Sequence, residues 1–154
     1  MDMCRRWVVL GLAVAVMAAA PSGRQPVKLA PQPGTPLDRT ARELVAQDLA
    51  EAARAGERPL VLLGTAQLAG PKERPALFVQ LQSARECGSA GCSTAAYQFT
   101  AGKWQLVLDA VSGPVAVDRA VHRGMHDLIV HDNDRWVWNG TAYTDARGPP
   151  RGRR

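Results

Sequence analysis

The spacing of apolar positions changes twice along the 154-residue chain, and each change marks a different element. Trp7 to Ala20 is an uninterrupted apolar run without charge. Between residues 37 and 52 the apolar positions are Leu37, Ala41, Leu44, Val45, Leu49 and Ala52, a three-and-four spacing that predicts one face of a helix. Arg39, Arg42, Glu43, Asp48, Glu51 and Arg54 fall on the opposite face. Thr35 is placed to cap this helix, Pro36 suits its first turn, and Asp38 stands three after Thr35 as in a capping box. Gly56 is the expected stop.

Beyond Gly56 the period becomes two. Pro59 to Ala66 is a nearly continuous apolar run suited to a buried strand. In Ala76 to Gln82, Leu77, Val79 and Leu81 share one face and Phe78, Gln80 and Gln82 the other. Ala95–Thr100, Lys103–Asp109 (with Trp104, Leu106 and Leu108 alternating), Val115–Val117, Asp127–His131 and Trp136–Trp138 continue the pattern. The turns between them carry Gly70-Pro71, Ala101-Gly102, Ser112-Gly113-Pro114 and Asp132-Asn133-Asp134. Asn139-Gly140 before Tyr143 is a two-residue hairpin signal. The expected fold is mainly β (α+β): one N-terminal helix packed on an antiparallel sheet or small barrel of seven to eight short strands.

The run at 7–20 holds 14 residues, short of the roughly 20 that cross a bilayer. It follows Arg5 and Arg6 and ends in small residues, as a signal peptide does. Residues 1–20 are therefore expected to direct export and be removed, with a retained anchor as the other reading. Residues 21–36, with five prolines and two glycines, read as a linker. Residues 37–146 read as one domain and 147–154 as a basic, disordered tail.

Composition narrows the class. Hydrophobic residues make up 46% and charged residues 21%, which excludes a wholly disordered or multi-span membrane chain. The net charge of +5 sits at the ends: the tail alone carries four arginines, while the body from 35 to 146 has more acids than bases. A basic end can meet nucleic acid, acidic lipid or an acidic protein. In an exported chain the expectation is no nucleic acid, no stable membrane insertion, and a protein or cell-wall component as partner.

Cys4 belongs to the export segment, leaving Cys87 and Cys92 in Glu-Cys-Gly-Ser-Ala-Gly-Cys. An even pair in an oxidising compartment implies a disulfide, here closing a turn whose glycines allow tight reversal. The compartment is periplasmic or secreted. A C-x₄-C pair does not have the C-x-x-C spacing of redox motifs.

The remaining candidates for chemistry are few. His122, His126 and His131 are all the histidines. Zinc needs three or four convergent ligands, and the spacing matches no metal signature, so histidines near a turn are the plainer reading. Asp132-Asn133-Asp134 lacks the alternation and glycine of a calcium loop and reads as a turn. No cofactor is expected. Trp136 and Trp138, two apart on a strand, are either core or a paired aromatic surface for sugar or protein.

Three resemblances bear on function. Ser89-Ala90-Gly91-Cys92 resembles the S-x-G-C stretch of L,D-transpeptidases, which crosslink peptidoglycan through a cysteine. That family has its histidine upstream and an arginine shortly after the cysteine, whereas here the first histidine is His122 and Ser93-Thr94 follow. Over roughly 58–145, the C-G-x-x-G-C turn, Gly102-Lys103-Trp104, Asp127-Leu128-Ile129-Val130 and the W-x-W-N-G-x-x-Y end at Trp136–Tyr143 resemble small exported bacterial proteins of uncharacterised function. Asn139-Gly140-Thr141-Ala142-Tyr143 is similar to the S-G-x-x-Y stretch of periplasmic lysozyme inhibitors, with Asn139 in place of serine. That likeness implies a contact loop at Asn139 and Tyr143. The expected function is an exported, non-enzymatic envelope binding module, with Trp136, Trp138, Asn139 and Tyr143 as candidate partner-binding residues. The alternatives are a lysozyme-type inhibitor or immunity protein, and a cell-wall cysteine enzyme.

Overall fold

The computed structural model describes residues 23–148. The expected signal peptide and residues 149–154 of the expected tail lie outside them. Among the described residues no helix is long and apolar enough to cross a membrane.

Two helices occupy the region where one was expected: α1 (Pro36–Leu44) and α2 (Ala46–Arg54). Thr35 caps α1, its hydroxyl accepting from the Asp38 N–H at 3.1 Å, and Pro36 opens the first turn. Asp38 completes the cap by accepting from the Gly34 N–H, and Arg42 one turn on donates to its carboxylate. The apolar period runs unbroken through Val45, yet Val45 leaves helical geometry at φ −105°, ψ 23° and divides the two segments.

The strands number ten: β1 (Arg24–Pro26), β2 (Leu60–Ala66), β3 (Ala76–Gln82), β4 (Cys87–Gly88), β5 (Gly91–Thr100), β6 (Lys103–Ser112), β7 (Val115–His122), β8 (Met125–Val130), β9 (Asp134–Trp138) and β10 (Tyr143–Asp145). They form two antiparallel sheets. The first has the order β1-β7-β8-β9-β10; the second runs β2-β3-β5, with β4 and β6 also paired to β5. The excess over the expected count comes from β1, which lies in the supposed linker, and from β4, which is half of the cysteine turn.

The sheets enclose one apolar layer and the helices cover another. Phe78, Ala96, Leu108 and Val111 from the second sheet meet Val117, Leu128, Val130 and Tyr143 from the first. On the other face of the second sheet, Leu63, Leu77, Val79, Leu81 and Tyr97 meet Ala41 and Val45. β3 is therefore buried on both faces along Ala76–Val79, with Phe78 turned to one layer and Leu77, Val79 and Leu81 to the other. β6 departs from the expected alternation. A register shift opposite Ala96–Tyr97 turns Val107 and Leu108 inward in succession and leaves Leu106 46% exposed.

Residues 23–30, expected as linker, instead bridge the two sheets. Arg24–Pro26 pairs with Ala116–Asp118 as an edge strand, where a proline without N–H is tolerated. Ala30 then exchanges two backbone hydrogen bonds of 2.9 Å with Leu63 in β2. The close approach is possible because residue 64 is glycine: a Cβ there would lie inside 3.0 Å of the Lys28 carbonyl. Gly64→Ala is expected to destabilise the protein by about 1–3 kcal/mol through this clash. A urea midpoint unchanged from the parent would mean that the segment does not hold this position in solution.

Candidate functional site

The charged side chains of the first sheet converge on one buried carboxylate. Asp127 in β8 is fully buried. It accepts a hydrogen bond from Arg135 Nη1 at 2.5 Å, and His122 Nδ1 lies 2.5 Å from its other oxygen. Arg135 in β9 reaches with Nη2 to Asp118 Oδ2 at 2.8 Å, so a single guanidinium bridges two carboxylates. These residues sit together because β7 carries extra residues between its pairings Val117↔Leu128 and Val121↔His126. That bulge re-aims Asp118 and lets its carboxylate accept from the Ala120 N–H as well.

The same strands fix the two neighbouring histidines. A carboxylate only accepts, so His122 donates through Nδ1, and its side chain is 53% exposed. His126 Nδ1 lies 3.0 Å from the Asp118 carbonyl and by the same argument donates to it. Tyr143 in β10 closes the cluster, its hydroxyl donating to the His126 carbonyl at 2.6 Å. His131 stands elsewhere, against Gly113, whose φ of +100° and lack of Cβ admit the ring. The three histidines thus do not converge, and among the described residues no group of three or more metal-ligating side chains is arranged around a common point.

A cleft of about 460 Å³ opens beside this network, between β1, the edge of β7 and the loop after β2. Arg24, Gln67, Asp118, Arg119 and His126 give it polar walls and Pro26 and Val117 give it apolar ones. The loop is pinned twice: the His126 N–H donates to the Leu68 carbonyl at 2.7 Å, and Gln67 Nε2 donates to the carbonyls of Ala69, Gly70 and Glu73. Arg24 is tied to the β8–β9 turn through the Asp132 carbonyl at 2.8 Å.

The residues singled out from the sequence are placed as follows. Cys87 and Cys92 face each other across β4–β5 and are joined in a disulfide, so neither sulfur is a thiolate while that bond is closed. Trp136 and Trp138 are half-buried against the layer between the sheets. Trp138 stacks obliquely on Tyr143, with ring centroids 5.5 Å apart. Tyr143 is only 4% exposed and its hydroxyl is committed, so it offers a partner no contact surface and acts as a core residue. Asn139 lies outside this layer. The turn encloses two residues, one position later than the Asn139-Gly140 expected: the Asn139 N–H donates to the Ala142 carbonyl at 3.1 Å across Gly140-Thr141, and Asn139 Oδ1 accepts from the N–H groups of Thr141 and Ala142. Asn139, Gly140 and Thr141 are exposed. Arg147, the first residue of the expected tail, pairs with Asp134 at 2.9 Å and Asp145 at 3.1 Å.

Sequence reasoning did not pick out Asp118, Arg119 or Arg135. The available signal was Asp127 within the otherwise apolar Leu128-Ile129-Val130 strand, since a charge in a buried run must find a partner.

The ionisable groups define a pH window. Burial alone would raise the Asp118 carboxyl, but the N–H groups of Ala120 and Arg119 and the Arg135 guanidinium outweigh it and hold the group below the usual carboxylate range. Arg42 lowers Asp38 and Arg147 lowers Asp145 in the same sense. Burial, reinforced by nearby acids, raises Tyr143 and Tyr97. A lowered carboxyl stabilises the fold above its unfolded value of about 3.9, and that contribution is lost as pH falls through the folded value. A raised phenol acts oppositely, its contribution being lost as pH climbs past about 10. The urea midpoint is therefore expected to fall below about pH 4 and again above about pH 10. A midpoint that rises on acidification from about pH 5 to about pH 3 would contradict these pairings.

No protein-family model matches the chain, and no curated protein or solved structure is similar to it.

Proposed function

We propose that the protein is an exported, non-enzymatic binding module of the bacterial envelope, whose partner is a protein or a cell-wall component and whose contact site is the cleft beside β1 and β7. The observation that carries this reading is the cleft's setting. Arg24, Gln67, Asp118 and His126 in its walls are held by named hydrogen bonds, and it borders a charge network in which Arg135 bridges Asp118 and Asp127. Such preorganisation favours binding, because little ordering remains for the partner to impose. The disulfide at the cysteine turn is compatible with an oxidising compartment.

His122 and Asp127 have the relation of an oriented imidazole and its carboxylate, but no nucleophile stands with them among the hydrogen-bonded partners. The test is direct. Mature protein incubated with peptidoglycan should leave it chemically unchanged while being retained by an envelope fraction. Hydrolysis or crosslinking of the peptidoglycan, abolished by Cys92→Ala or His122→Ala, would overturn the proposal.

A lysozyme-type inhibitor is the second reading, favoured by the exposed Asn139-Gly140-Thr141 tip of the β9–β10 loop, which has the form of a segment inserted into a cleft. It requires that the protein slow a lysozyme and that Thr141→Arg relieve the inhibition. Undiminished lysozyme activity at saturating protein would end it. Tyr143→Ala is unsuitable as the probe, because Tyr143 is buried.

A further inference from the structure

The polar groups left uncommitted in the cleft carry the ligand's chemistry. Arg119 makes no ion pair or side-chain hydrogen bond among the described residues, and its aliphatic stem lies against Gly23. Arg24 is anchored only on a neutral carbonyl and an amide oxygen, so its charge is also uncompensated. The one acid of the cleft, Asp118, shares Arg135 with Asp127 and is outnumbered by Arg24 and Arg119. The cleft therefore presents net positive charge to its contents.

Two acceptors stand beside those donors. Gln67 spends its amide nitrogen on three loop carbonyls, leaving Oε1 without a partner among the described residues. His126 spends Nδ1 on the Asp118 carbonyl, leaving Nε2. A sulfate would meet the guanidiniums but has no hydrogen to offer these acceptors, and hydrogen phosphate has only its O–H, set on the anion itself. A peptide ending in a free carboxylate has both: an oxyanion shaped for a guanidinium, and an amide N–H next to it. Val117 and Pro26 supply the apolar wall for a small terminal side chain. The volume of about 460 Å³ suits a ligand of two or three residues.

We infer that the cleft binds the free C-terminal carboxylate of a short peptide, with Arg119 receiving the carboxylate and Gln67 Oε1 and His126 Nε2 receiving peptide N–H groups. The inference rests on the binding-module reading and names the ligand class of that same site.

The experiment titrates ¹⁵N-labelled mature protein with N-acetyl-Ala-Ala bearing a free carboxylate, with its C-terminal amide, and with inorganic phosphate. The free acid should give saturable shifts centred on Gln67, Arg119 and His126. The amide and the Arg119→Ala variant should each bind at least about tenfold more weakly, as expected for losing a charged hydrogen bond. Arg119 is exposed, so the variant should melt with the parent, which separates lost binding from lost folding. Equal binding of acid and amide, or phosphate binding as tightly as the acid, would overturn the inference. So would shifts insensitive to Arg119→Ala, or no saturable shift with the free acid. If these fail while the parent and Arg119→Ala are retained alike by the envelope fraction, the ligand class falls and the binding-module reading stands. If the envelope fraction retains neither, that reading falls too.

Discussion

Replacing Asp127 by Ala is expected to destabilise the protein by about 3–5 kcal/mol, because its buried carboxylate accepts two hydrogen bonds, each worth about 1.5–3 kcal/mol when one partner is charged. Asp127 is fully buried and receives both Arg135 and His122. Its removal leaves the Arg135 guanidinium facing the vacated site with only Asp118 as a counter-charge. Two neighbouring strands lose a shared partner at once, because His122 in β7 and Arg135 in β9 both bond to Asp127 in β8. A domain of this size is stable by only about 5–15 kcal/mol, so the variant should unfold at a much lower urea concentration. His122→Ala should have a smaller effect, since that ring is half in solvent and its loss strands no buried charge. Urea unfolding of both variants checks the order. A loss below about 1 kcal/mol for Asp127→Ala would show that the pair contributes no more than an exposed one.

Phe78→Ala should have a comparable effect, about 3–5 kcal/mol, for a different reason. Phe78 is the largest fully buried side chain and lies between the sheets, where Leu128, Val130 and Tyr143 from the first sheet share one layer with Ala96 and Leu108 from the second. Truncation removes its apolar area and leaves a cavity that two hydrogen-bonded sheets can close only in part. The loss should appear as one shifted transition, not two, because the layer is common to both sheets. Leu81→Ala, in the layer under the helices, provides the comparison at a site 6% exposed. A loss under about 1.5 kcal/mol at Phe78, or separate unfolding of the sheets, would contradict a common core.

Much of this architecture is legible from periodicity and turn chemistry. The spacing of Ala76–Gln82 matches β3, and Thr35-Pro36 marks the start of α1. Ala101-Gly102 adopts positive φ at both positions, as the tight turn between β5 and β6 requires. The departures have physical causes. Prolines favour extended backbone in a linker and in an edge strand alike, so only the pairing of Arg24–Pro26 with β7 distinguishes the two. Val45 keeps the helical period, so the break between α1 and α2 leaves no trace in the spacing. Asn139-Gly140 signals the hairpin one position early: Asn139 pairs with Ala142 across Gly140-Thr141, and its side chain accepts two backbone N–H groups.

The site was less legible than the fold. Tyr143 and Trp138 stood out as aromatics, and the sheet buries one and half-buries the other. Asp118, Asp127 and Arg135 meet only because the β7 bulge shifts the register by which Asp118 is aimed. A bulge of this kind is set by strands that pair across a turn, which the spacing within any one strand does not encode. The cleft depends in addition on a segment that reads as linker.

Site-directed photocrosslinking tests the binding role of the cleft most directly. A photoreactive residue at position 25, which lines the cleft without contributing a proposed ligand contact, should join the mature protein to one envelope component, and excess N-acetyl-Ala-Ala free acid should suppress the adduct. The same residue at position 54, on the helical face away from the first sheet, should give no such adduct. Equal adducts from both positions, or none from position 25 while position 54 reacts, would contradict the account.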